Sequence, residues 1–414
     1  MVKLSKLTTQ NYKNLALDGG LELQSLNLFI GPNGSGKSNL LNVLRFLKDA
    51  TTPPADKSRG VTGFEDAVSR LGGPRILDAT VDAPAKVDFA YSFDAPENCN
   101  LFLTLAVRGN YVNLSGEKLT ADTEAIVDYY RRADDKVSVT STFIATQFSP
   151  RQPIALQYAA NDLALMQIPA LLEGGDVPPE DIPVYKKRRQ LLDTLSQWRF
   201  YNANDMNLDA IRHSEPKLGP GDRFVSTSGE NLSLVLHNLT QESLDFEERI
   251  DNAMRAILPT TRRVRAVVPG RTTVTTEWHF ADVPTPFYLD EMSDGTVRML
   301  CWAIILHSPR LPSLLVIEEP EIGLHVAWLR VLAEWIKAAS RKTQVIISTH
   351  SPDLLDSFTD RVESVYVFNS AEGHPAHFAV KPLAPERVAS WVEEGWQLGD
   401  LYRVGDPSVG GWPW

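Results

Sequence analysis

The stretch "LFIGPNGSGKSNLLNVLRFL", residues 28–47, decides the fold because three kinds of local structure follow one another in it. Apolar residues predict a buried strand up to Ile30, and the apolar spacing after Lys37 predicts an amphipathic helix. The segment between them, Gly31–Ser38, fits the pattern G-x-x-x-x-G-K-[ST]. Its glycines let backbone N–H groups turn inward around an anion, at the positive end of the helix that follows. The sequence therefore predicts a phosphate-binding loop.

The side chains of this loop indicate which phosphate compound it binds. Lys37 supplies a cation for the outer phosphates of a nucleotide, and the Ser38 hydroxyl is placed to coordinate Mg²⁺. The alternative, a glycine-rich turn that binds nothing, is disfavoured by the complete motif between a strand and a helix. The residues predicted to bind phosphate are Gly31, Asn33, Gly34, Ser35, Gly36, Lys37, Ser38 and Asn39.

A second motif, "SLLVIEEPEIGLH" at residues 313–325, crowds acids at the end of an apolar strand. Magnesium beside a triphosphate needs carboxylates from a neighbouring strand. We assign Glu318 to hold the metal through water, and Glu319 to orient and polarise the attacking water. Glu321 is expected to point elsewhere after the bend at Pro320. The alternative is an acidic loop that caps the next helix.

A third motif, "QVIISTHSPDLLD", follows at residues 344–356. His350 ends its apolar strand, where an imidazole is suited to contact a γ-phosphate and sense its loss. The alternative is an ordinary surface histidine. The order of the three motifs favours the catalytic interpretation.

Length and composition suit a soluble globular protein of one large domain or two. The chain has 414 residues, a net charge of −11 and two cysteines far apart, Cys99 and Cys301. We expect a reducing, cytoplasmic location, because there is no disulfide framework, signal-peptide pattern or apolar run of about 20 residues. The acidic balance argues against a uniformly basic nucleic-acid-binding protein, but not against a local basic patch.

Hydrophobic patterning predicts an α/β fold with a different kind of middle region. Alternating strands and helices near both ends indicate a parallel or mixed core sheet. Short alternating runs in the middle predict an antiparallel sheet, followed by helices. Predicted strands cover residues 3–9, 20–30, 86–92, 101–107, 111–116, 137–144, 262–268, 272–280, 313–317, 344–348 and 363–369. Predicted helices follow the phosphate loop and lie within residues 157–200, 229–257, 296–307 and 325–339.

Four segments in order, "GPNGSGKSN", "EMSDGTVRML", "LLVIEEPEIGLH" and "VIISTHSPDLL", resemble the ABC-type ATPases of the RecF, SMC and OLD group, a branch often labelled AAA family ATPase. The resemblance implies an ABC-ATPase-type head. Its P-loop core would comprise residues 1–50 and 285–370. The intervening parts would be an antiparallel β subdomain at 51–150, a helical insertion at 151–284, and a C-terminal strand with a Trp-rich tail at 371–414.

The resemblance also implies roles for two further segments. "NYKNL", residues 11–15, resembles a family segment that lies against the nucleotide, which points to Tyr12, Lys13 and Asn14. "MSDGT" resembles the signature loop, which in the family reaches across a dimer to ATP bound by the partner. Its residues here are Ser293, Asp294 and Gly295. The alternative for this loop is an ordinary helix N-cap.

Two features depart from the family pattern or stay open. The family usually has Asp at the position of Glu318, so efficient hydrolysis is less secure than nucleotide binding. The glutamine that couples the metal to conformational change is one of Gln147, Gln152, Gln157 and Gln167. About 64 residues follow His350, fewer than a typical domain, so we expect no Toprim nuclease domain in this sequence.

The motif set predicts an ATPase that dimerises, or forms a higher oligomer, around Mg-ATP and acts as a clamp or sensor. In the resembling families the partner is usually DNA or an effector protein, which points to anti-phage defence or DNA repair with a separate effector. Exposed tryptophans in the tail would form a docking surface, or else fold back onto the core. Two alternatives are an assembly scaffold with little hydrolysis and, disfavoured by the long insertion, a transporter motor. Candidate contacts to nucleic-acid phosphates are Lys186, Lys187, Arg188, Arg189, Arg262, Arg263, Arg265 and Arg271, each of which is otherwise a solvated surface charge.

Overall fold

A computed structural model gives the architecture of most of the chain. The residues that it describes are 3–17, 19–54, 61–94, 98–121, 128–133, 136–139, 154–155, 161–172, 183–219, 222–371 and 374–410. They divide into two compact units. The first comprises residues 1–24, 31–198 and 366–381, and the second residues 25–30, 199–365 and 382–414.

Twelve α-helices lie in the described residues. They are α1 (Lys37–Ala50), α2 (Gly63–Leu71), α3 (Ala164–Leu172), α4 (Pro183–Ser196), α5 (Leu208–His213), α6 (Leu232–Glu242), α7 (Leu244–Ile257), α8 (Asp294–His307), α9 (Val326–Ser340), α10 (Pro352–Asp356), α11 (Ala389–Glu393) and α12 (Leu398–Arg403). Short 3₁₀ turns span Gly73–Ile76, Leu289–Glu291, Thr359–Ser364, Pro385–Arg387 and Pro407–Val409.

Eighteen strands lie in the same described part of the chain. They are β1 (Leu4–Gln10), β2 (Leu15–Ala16), β3 (Leu21–Glu22), β4 (Leu26–Ile30), β5 (Ala85–Phe93), β6 (Cys99–Arg108), β7 (Tyr111–Ala121), β8 (Asp128–Ala133), β9 (Lys136–Val139), β10 (Ile154–Ala155), β11 (Arg199–Asn202), β12 (Thr261–Val267), β13 (Thr275–Phe280), β14 (Phe287–Tyr288), β15 (Leu314–Glu318), β16 (Gln344–Ser348), β17 (Val365–Ala371) and β18 (His374–Pro382).

The first unit is built on an antiparallel sheet with the strand order β10-β9-β8-β7-β6-β5-β1-β3. Alternate side chains of β5 are buried, at Val87, Phe89, Tyr91 and Phe93, as the period of two for a strand with one core face requires. The Tyr91 hydroxyl donates a 2.9 Å hydrogen bond to the carbonyl of Val43 in α1. The sheet thus supports the helix that follows the phosphate loop.

The second unit is built on four parallel strands in the order β11-β15-β16-β4. Every residue of β4, β15 and β16 is buried, which matches the near-continuous apolar runs typical of parallel strands. Helices α8 and α9 pack against each other, and α6 and α7 pack against β12 of a separate β12-β13-β14 sheet. No helix among the described residues is long and apolar enough to span a membrane.

The predicted α/β class is confirmed, and two local predictions are corrected. Residues 20–30 form two strands, because Leu21–Glu22 pairs antiparallel with β1 whereas the fully buried Leu26–Ile30 pairs in parallel with β16. The predicted helical stretch 157–200 ends earlier, and its last residues form β11 beside β15. Helix α1 and the antiparallel sheet belong to the same compact unit, and the predicted division of the chain at residue 50 stays a prediction. Residues 140–144 and the interrupted stretch 173–182 lie outside the described residues.

His307, the last residue of α8, makes stability depend on pH. Its ring packs edge-on against Trp335 with centroids 5.3 Å apart, and its Nε2 is buried without a hydrogen-bond partner in the described structure. Burial, with a smaller effect of Arg249 and Lys342, lowers the His307 pKa from 6.5 to about 4. The unfolded chain therefore binds more protons than the folded chain between pH 6.5 and 4, so acidification through this window lowers the free energy of unfolding.

We predict that His307→Phe, which keeps a ring and removes the titration, gains stability relative to the wild type by about 2 kcal/mol between pH 7 and pH 5. Thermal unfolding of both proteins at several pH values measures this, because the difference between them cancels the other titrating groups. A difference in melting temperature that stays constant from pH 7 to pH 5 would contradict the prediction.

Candidate functional site

The phosphate loop has a backbone that only glycine adopts without strain. Gly31, Gly34 and Gly36 have φ values of 148°, 79° and 95°. Gly36 is the N-cap of α1, and no side chain caps this helix. A Cβ at Gly36 would lie 2.7 Å from Cδ2 of Leu15 and 2.9 Å from Oδ1 of Asn14. The loop therefore keeps the uncapped helix N-terminus that suits an anion.

Polar side chains of the loop divide into buried and exposed groups. Lys37 is buried, and its Nζ donates to the carbonyls of Gly31 at 2.8 Å and Pro32 at 2.9 Å. Ser35 is also buried, whereas Asn33 and Ser38 are exposed. The Ser38 hydroxyl, in the first turn of α1, is thus accessible to a ligand while the Lys37 ammonium lies within the loop.

The predicted nucleotide-edge segment is bound to the phosphate loop by a chain of amide contacts. Asn14 Nδ2 donates to the Gly34 carbonyl at 2.9 Å, and Asn39 Nδ2 donates to Asn14 Oδ1 at 2.8 Å. Lys13 Nζ donates to Asn39 Oδ1 at 3.1 Å, and partial burial lowers the Lys13 pKa. Asn14 and Asn39 therefore connect the nucleotide-edge segment to the phosphate loop through hydrogen bonds.

Tyr12 has a different place from the one predicted. Its side chain is fully buried, with its ring edge-on to Phe89 at 5.2 Å and its hydroxyl donating to the Asn39 carbonyl at 3.3 Å. Burial raises the pKa of its hydroxyl. Tyr12 thus supports α1 from inside the core, and the accessible side chains of the segment are those of Lys13 and Asn14.

The acidic strand end contains a strained backbone. Glu318, the last residue of β15, is 8% exposed. Glu319 has φ 48°, in the left-handed region that costs a non-glycine residue about 1 kcal/mol or more. Its N–H donates to the Ser348 carbonyl at 2.8 Å. This bond to β16 holds the chain in the conformation that turns the Glu319 side chain away from the strand.

The Glu319 carboxylate lies between two polar groups of the second unit. Asn204 Nδ2, in the loop after β11, donates to Glu319 Oε2 at 3.4 Å. His350 Nε2 lies 3.8 Å from Glu319 Oε1. The side chains of His350 and Glu319 are 31% and 34% exposed, so water reaches both. Two residues predicted from separate motifs are thus neighbours, and Asn204 contacts one of them, Glu319.

Glu321 does not point away from the site as expected. Its Oε1 accepts hydrogen bonds from the Thr349 hydroxyl at 2.6 Å and from the His350 N–H at 3.1 Å. The chain bends at Pro320 and brings Glu321 back to the end of β16, where a strong donor pair is available. The expectation was wrong because it considered only the local bend.

The signature segment begins α8 and is capped from within. Ser293 is the N-cap, and its Oγ accepts from the Thr296 N–H at 3.3 Å. Asp294 pairs with Arg212 at 2.6 Å. A Cβ at Gly295 would lie 3.1 Å from the Gly323 carbonyl, so this glycine allows α8 to approach the loop that follows the acidic strand. The capping alternative is therefore realised, and a role across a dimer stays a prediction.

The two basic clusters differ in how many of their charges are engaged. In α4, Lys186 and Arg189 are exposed, while Arg188 Nε donates to the Leu165 carbonyl. On β12, Arg263 pairs with Glu247 at 2.7 Å, and Arg265 pairs with Glu277 at 3.7 Å. Lys187 is half-buried, and Arg262 and Arg271 are exposed. Outside these ion pairs, each cluster therefore offers two exposed cations, Lys186 and Arg189 in one and Arg262 and Arg271 in the other.

Other predicted residues are placed as follows. Gln167 is buried in α3, whereas Gln147, Gln152 and Gln157 lie outside the described residues. In the tail, Trp391 and Trp396 are 38% and 36% exposed and lie against each other with ring centroids 5.4 Å apart. Trp412 and Trp414 lie outside the described residues.

Sequence reasoning missed Asn204, Thr349 as a partner of Glu321, and the role of Glu321 itself. Thr349 precedes His350 directly, so its position beside the predicted sensor was a usable signal. Asn204 carries no comparable signal, because its contact with Glu319 joins segments more than a hundred residues apart.

Comparisons with known proteins agree with this fold. The family model described as "AAA domain, putative AbiEii toxin, Type IV TA system" matches residues 26–156 and 176–356. Over 71 residues the chain is 37% identical to the DNA replication and repair protein RecF of Lactobacillus acidophilus, a match that covers 17% of this chain and only 19% of that protein. A crystal structure of an SMC head bound to the C-winged helix domain of ScpA is similar with a TM-score of 0.51 and 11% identity, over 93% of this chain and 99% of that chain. The family model covers more than half of the chain, and the structural similarity agrees with the fold of an ABC-ATPase-type head.

We predict that replacing Glu319 with glycine destabilises the protein less than replacing it with alanine does, which is the reverse of the order within a helix. In the left-handed region, glycine has no Cβ strain, so Glu319→Gly should be more stable than Glu319→Ala by about 1 kcal/mol. The matched control is the exposed Glu334 within α9, where Gly should be less stable than Ala by about 1 kcal/mol. Thermal unfolding of the four variants provides the measurement, and an alanine preference at both positions would refute the backbone strain.

Proposed function

This chain belongs to the AAA domain family whose model it matches, and from that premise we propose that it is an ATPase that closes as a dimer around Mg-ATP and works as a nucleotide-gated clamp or sensor. The observation that carries the proposal is the parallel arrangement of β15, β16 and β4 in the second unit. Their carboxyl ends lie at one edge, where β15 ends in Glu318 and β4 continues into the phosphate loop. Ligands of open α/β sheets bind at such edges.

The residues present fit a magnesium nucleotide. In the first unit, the uncapped N-terminus of α1 and the buried Lys37 suit phosphate oxygens, and the exposed Ser38 hydroxyl is an oxygen donor of the kind that Mg²⁺ prefers. In the second unit, the Glu318 carboxylate is a donor of the same kind. When bound, the metal neutralises charge on the β- and γ-phosphates. Groups of three or more acidic, histidine or cysteine side chains suited to a metal do not occur in the described residues, which agrees with a metal held largely by phosphates and water.

We assign hydrolysis of ATP to ADP and phosphate to three side chains of the second unit. Glu319 accepts a proton from the attacking water or orients it by a hydrogen bond. Asn204, 3.4 Å away, restrains the Glu319 carboxylate, and His350 donates to the γ-phosphate. Support comes from the proximity of Glu319 and His350 and from the strained backbone that presents Glu319.

The dimer supplies the gate in this proposal. Ser293 and Gly295 of one subunit contact the γ-phosphate bound by the other, so they have this ligand only before hydrolysis. Such a differential contact is what allows ATP to drive closure. Two similar proteins, a DNA replication and repair protein and an SMC head bound to the C-winged helix domain of ScpA, support DNA or an effector protein as the partner. We place the function in DNA maintenance or anti-phage defence, in the cytoplasm.

We predict that Glu319→Gln lowers kcat about 100-fold or more, because it removes the proton acceptor while keeping the shape of the side chain. ATP affinity should remain, and the variant should accumulate as a closed dimer with Mg-ATP. The measurements are ATPase assays, equilibrium ATP binding and sedimentation with and without nucleotide. The matched control, the exposed Glu363→Gln, should behave as wild type.

Two outcomes would redirect the proposal. Unchanged turnover in Glu319→Gln would remove Glu319 from catalysis. ATP-dependent dimerisation of the wild type, with hydrolysis at background, would favour the assembly scaffold, for which Glu318 in place of the usual Asp is the structural reason.

We predict that DNA binding, where it occurs, depends on α4. The double variant Lys186→Glu and Arg189→Glu should weaken binding to double-stranded DNA at least about tenfold and reduce the salt slope by about two, because two phosphate contacts are lost. Fluorescence anisotropy at several salt concentrations measures both quantities. Arg263→Glu is the control, because Arg263 is already paired with Glu247. Equal weakening by both variants would count against α4.

A further inference from the structure

Glu321 is the third acid of the crowded strand end, and the proposed chemistry uses only the first two. It lies two residues after Glu319 and turns toward the end of β16. Its Oε1 accepts from the Thr349 hydroxyl at 2.6 Å and from the His350 N–H at 3.1 Å. Oε1 of Glu321 thus accepts hydrogen bonds from both His350, the proposed phosphate sensor, and Thr349, the residue before it.

The contacts of Glu321 continue into the next helix. The Thr349 oxygen that donates to Glu321 also accepts from the Ser351 N–H at 2.9 Å. Ser351 is the N-cap of α10, and its Oγ accepts from the Leu354 N–H at 3.2 Å. The turn that carries His350 is therefore fixed on one side by Glu321 and on the other by the helix cap.

Glu321 is a costly residue to place here. Its Oε2 is buried and makes no hydrogen bond within the described residues. Burial raises the Glu321 pKa, the Thr349 bond opposes the rise, and the nearby Glu319 adds to it. Burying a carboxylate with one unsatisfied oxygen costs stability. A glutamine would offer a similar acceptor with no charge, so the property of Glu321 that the neighbouring turn uses is the acceptor and not the charge.

We propose that Glu321 is a positioning residue that fixes the imidazole of His350 relative to the carboxylate of Glu319 during ATP hydrolysis. The hydrogen bonds to Thr349 and His350 join the loop after β15 to the turn after β16, so the loop that carries Glu319 is bonded directly to the turn that carries His350. This link adds to the bond from the Glu319 N–H to the Ser348 carbonyl, and it acts at the residue that carries the imidazole. The inference rests on the proposed function, since it assigns a supporting part to the same site.

Four single variants separate positioning from simple packing. Glu321→Ala and Thr349→Val each remove one side of the link, and each should lower kcat roughly 10- to 100-fold, because displacement by about 1 Å is enough for such losses. ATP affinity and KM should change less than about threefold, because the phosphate loop is untouched. Glu321→Gln and Thr349→Ser keep the acceptor and the hydroxyl, so both should retain kcat within about threefold of wild type.

A double-variant cycle tests whether the two residues act as one link. Glu321→Ala combined with Thr349→Val should lose clearly less activity than the product of the two single losses, because the hydrogen bond between the two residues is already absent in each single variant. Losses that multiply would show that the residues act independently, and this would overturn the proposal. Thermal unfolding of every variant identifies any that fails to fold, and the two conservative variants keep the comparison valid in that case.

A structural readout does not depend on turnover. The chain has eight histidines, and selective ¹³C labelling of their rings gives a resonance that Glu319→Gln and His350→Gln variants assign to His350. In Glu321→Ala this resonance should shift or broaden, while those of the other histidines stay in place. In Glu321→Gln it should resemble that of the wild type. An unaltered His350 resonance in Glu321→Ala would overturn the proposal.

The failures of the two proposals are distinguishable. If Glu319→Gln keeps full activity, the proposed catalytic function fails whatever Glu321 does. If Glu319→Gln is inactive while folded Glu321→Ala and Thr349→Val turn over at the wild-type rate, the catalytic function stands and the positioning role of Glu321 is refuted.

Discussion

The register of three parallel strands is the constraint on which the rest of the site depends. Glu318 pairs with Ser348, and Ser348 pairs with Phe29, so β15, β16 and β4 reach the edge of the sheet together. The N–H groups just beyond the strands continue this ladder, from Glu319 to the Ser348 carbonyl and from Thr349 to the Phe29 carbonyl. A slip of one residue would turn every side chain of a strand to the other face. The same register that buries the apolar strands therefore also determines where the acids emerge.

Three carboxylates within four positions are tolerable because the backbone sends each one in a different direction. Glu318 ends the strand and stays buried, Glu319 has a left-handed conformation and its half-buried side chain lies beside Asn204 and His350, and Glu321 returns to β16 after Pro320. Their mutual repulsion still appears in the raised pKa of Glu321, to which burial contributes most and Glu319 adds. The strained backbone thus separates the like charges and reduces their repulsion, because adjacent side chains would otherwise lie in one environment.

Features encoded within a few neighbouring residues could be predicted from the sequence, whereas contacts between distant residues could not. The glycine pattern between a strand and a helix predicted the phosphate loop, because both the turn and the helix start are encoded within a few residues. Glu319 and His350 were predicted separately, each from its own motif, and the parallel strands place them 3.8 Å apart. The burial of Tyr12 was not predicted because it depends on tertiary packing, here against Phe89. Asn204 was missed because it follows β11, a strand of four residues that is too short for a hydrophobic periodicity to be recognised.

The C-terminal segment divides into a part that packs on the second unit and a part that stays exposed. Helix α12 lies close against α10, where a Cβ at Gly399 would be only 2.1 Å from the Pro352 carbonyl, and Arg403 contacts both Asp353 and Asp356. Burial raises the Tyr402 pKa, and the charge of Glu321 raises it further, so α12 lies near the acid that holds His350. The C-terminal segment is therefore packed against the rest of the second unit, because α12 supports α10, the short helix that begins directly after His350. The exposed pair of Trp391 and Trp396 precedes α12 in the chain, and the contacts with α10 described above are made by α12 and not by this pair.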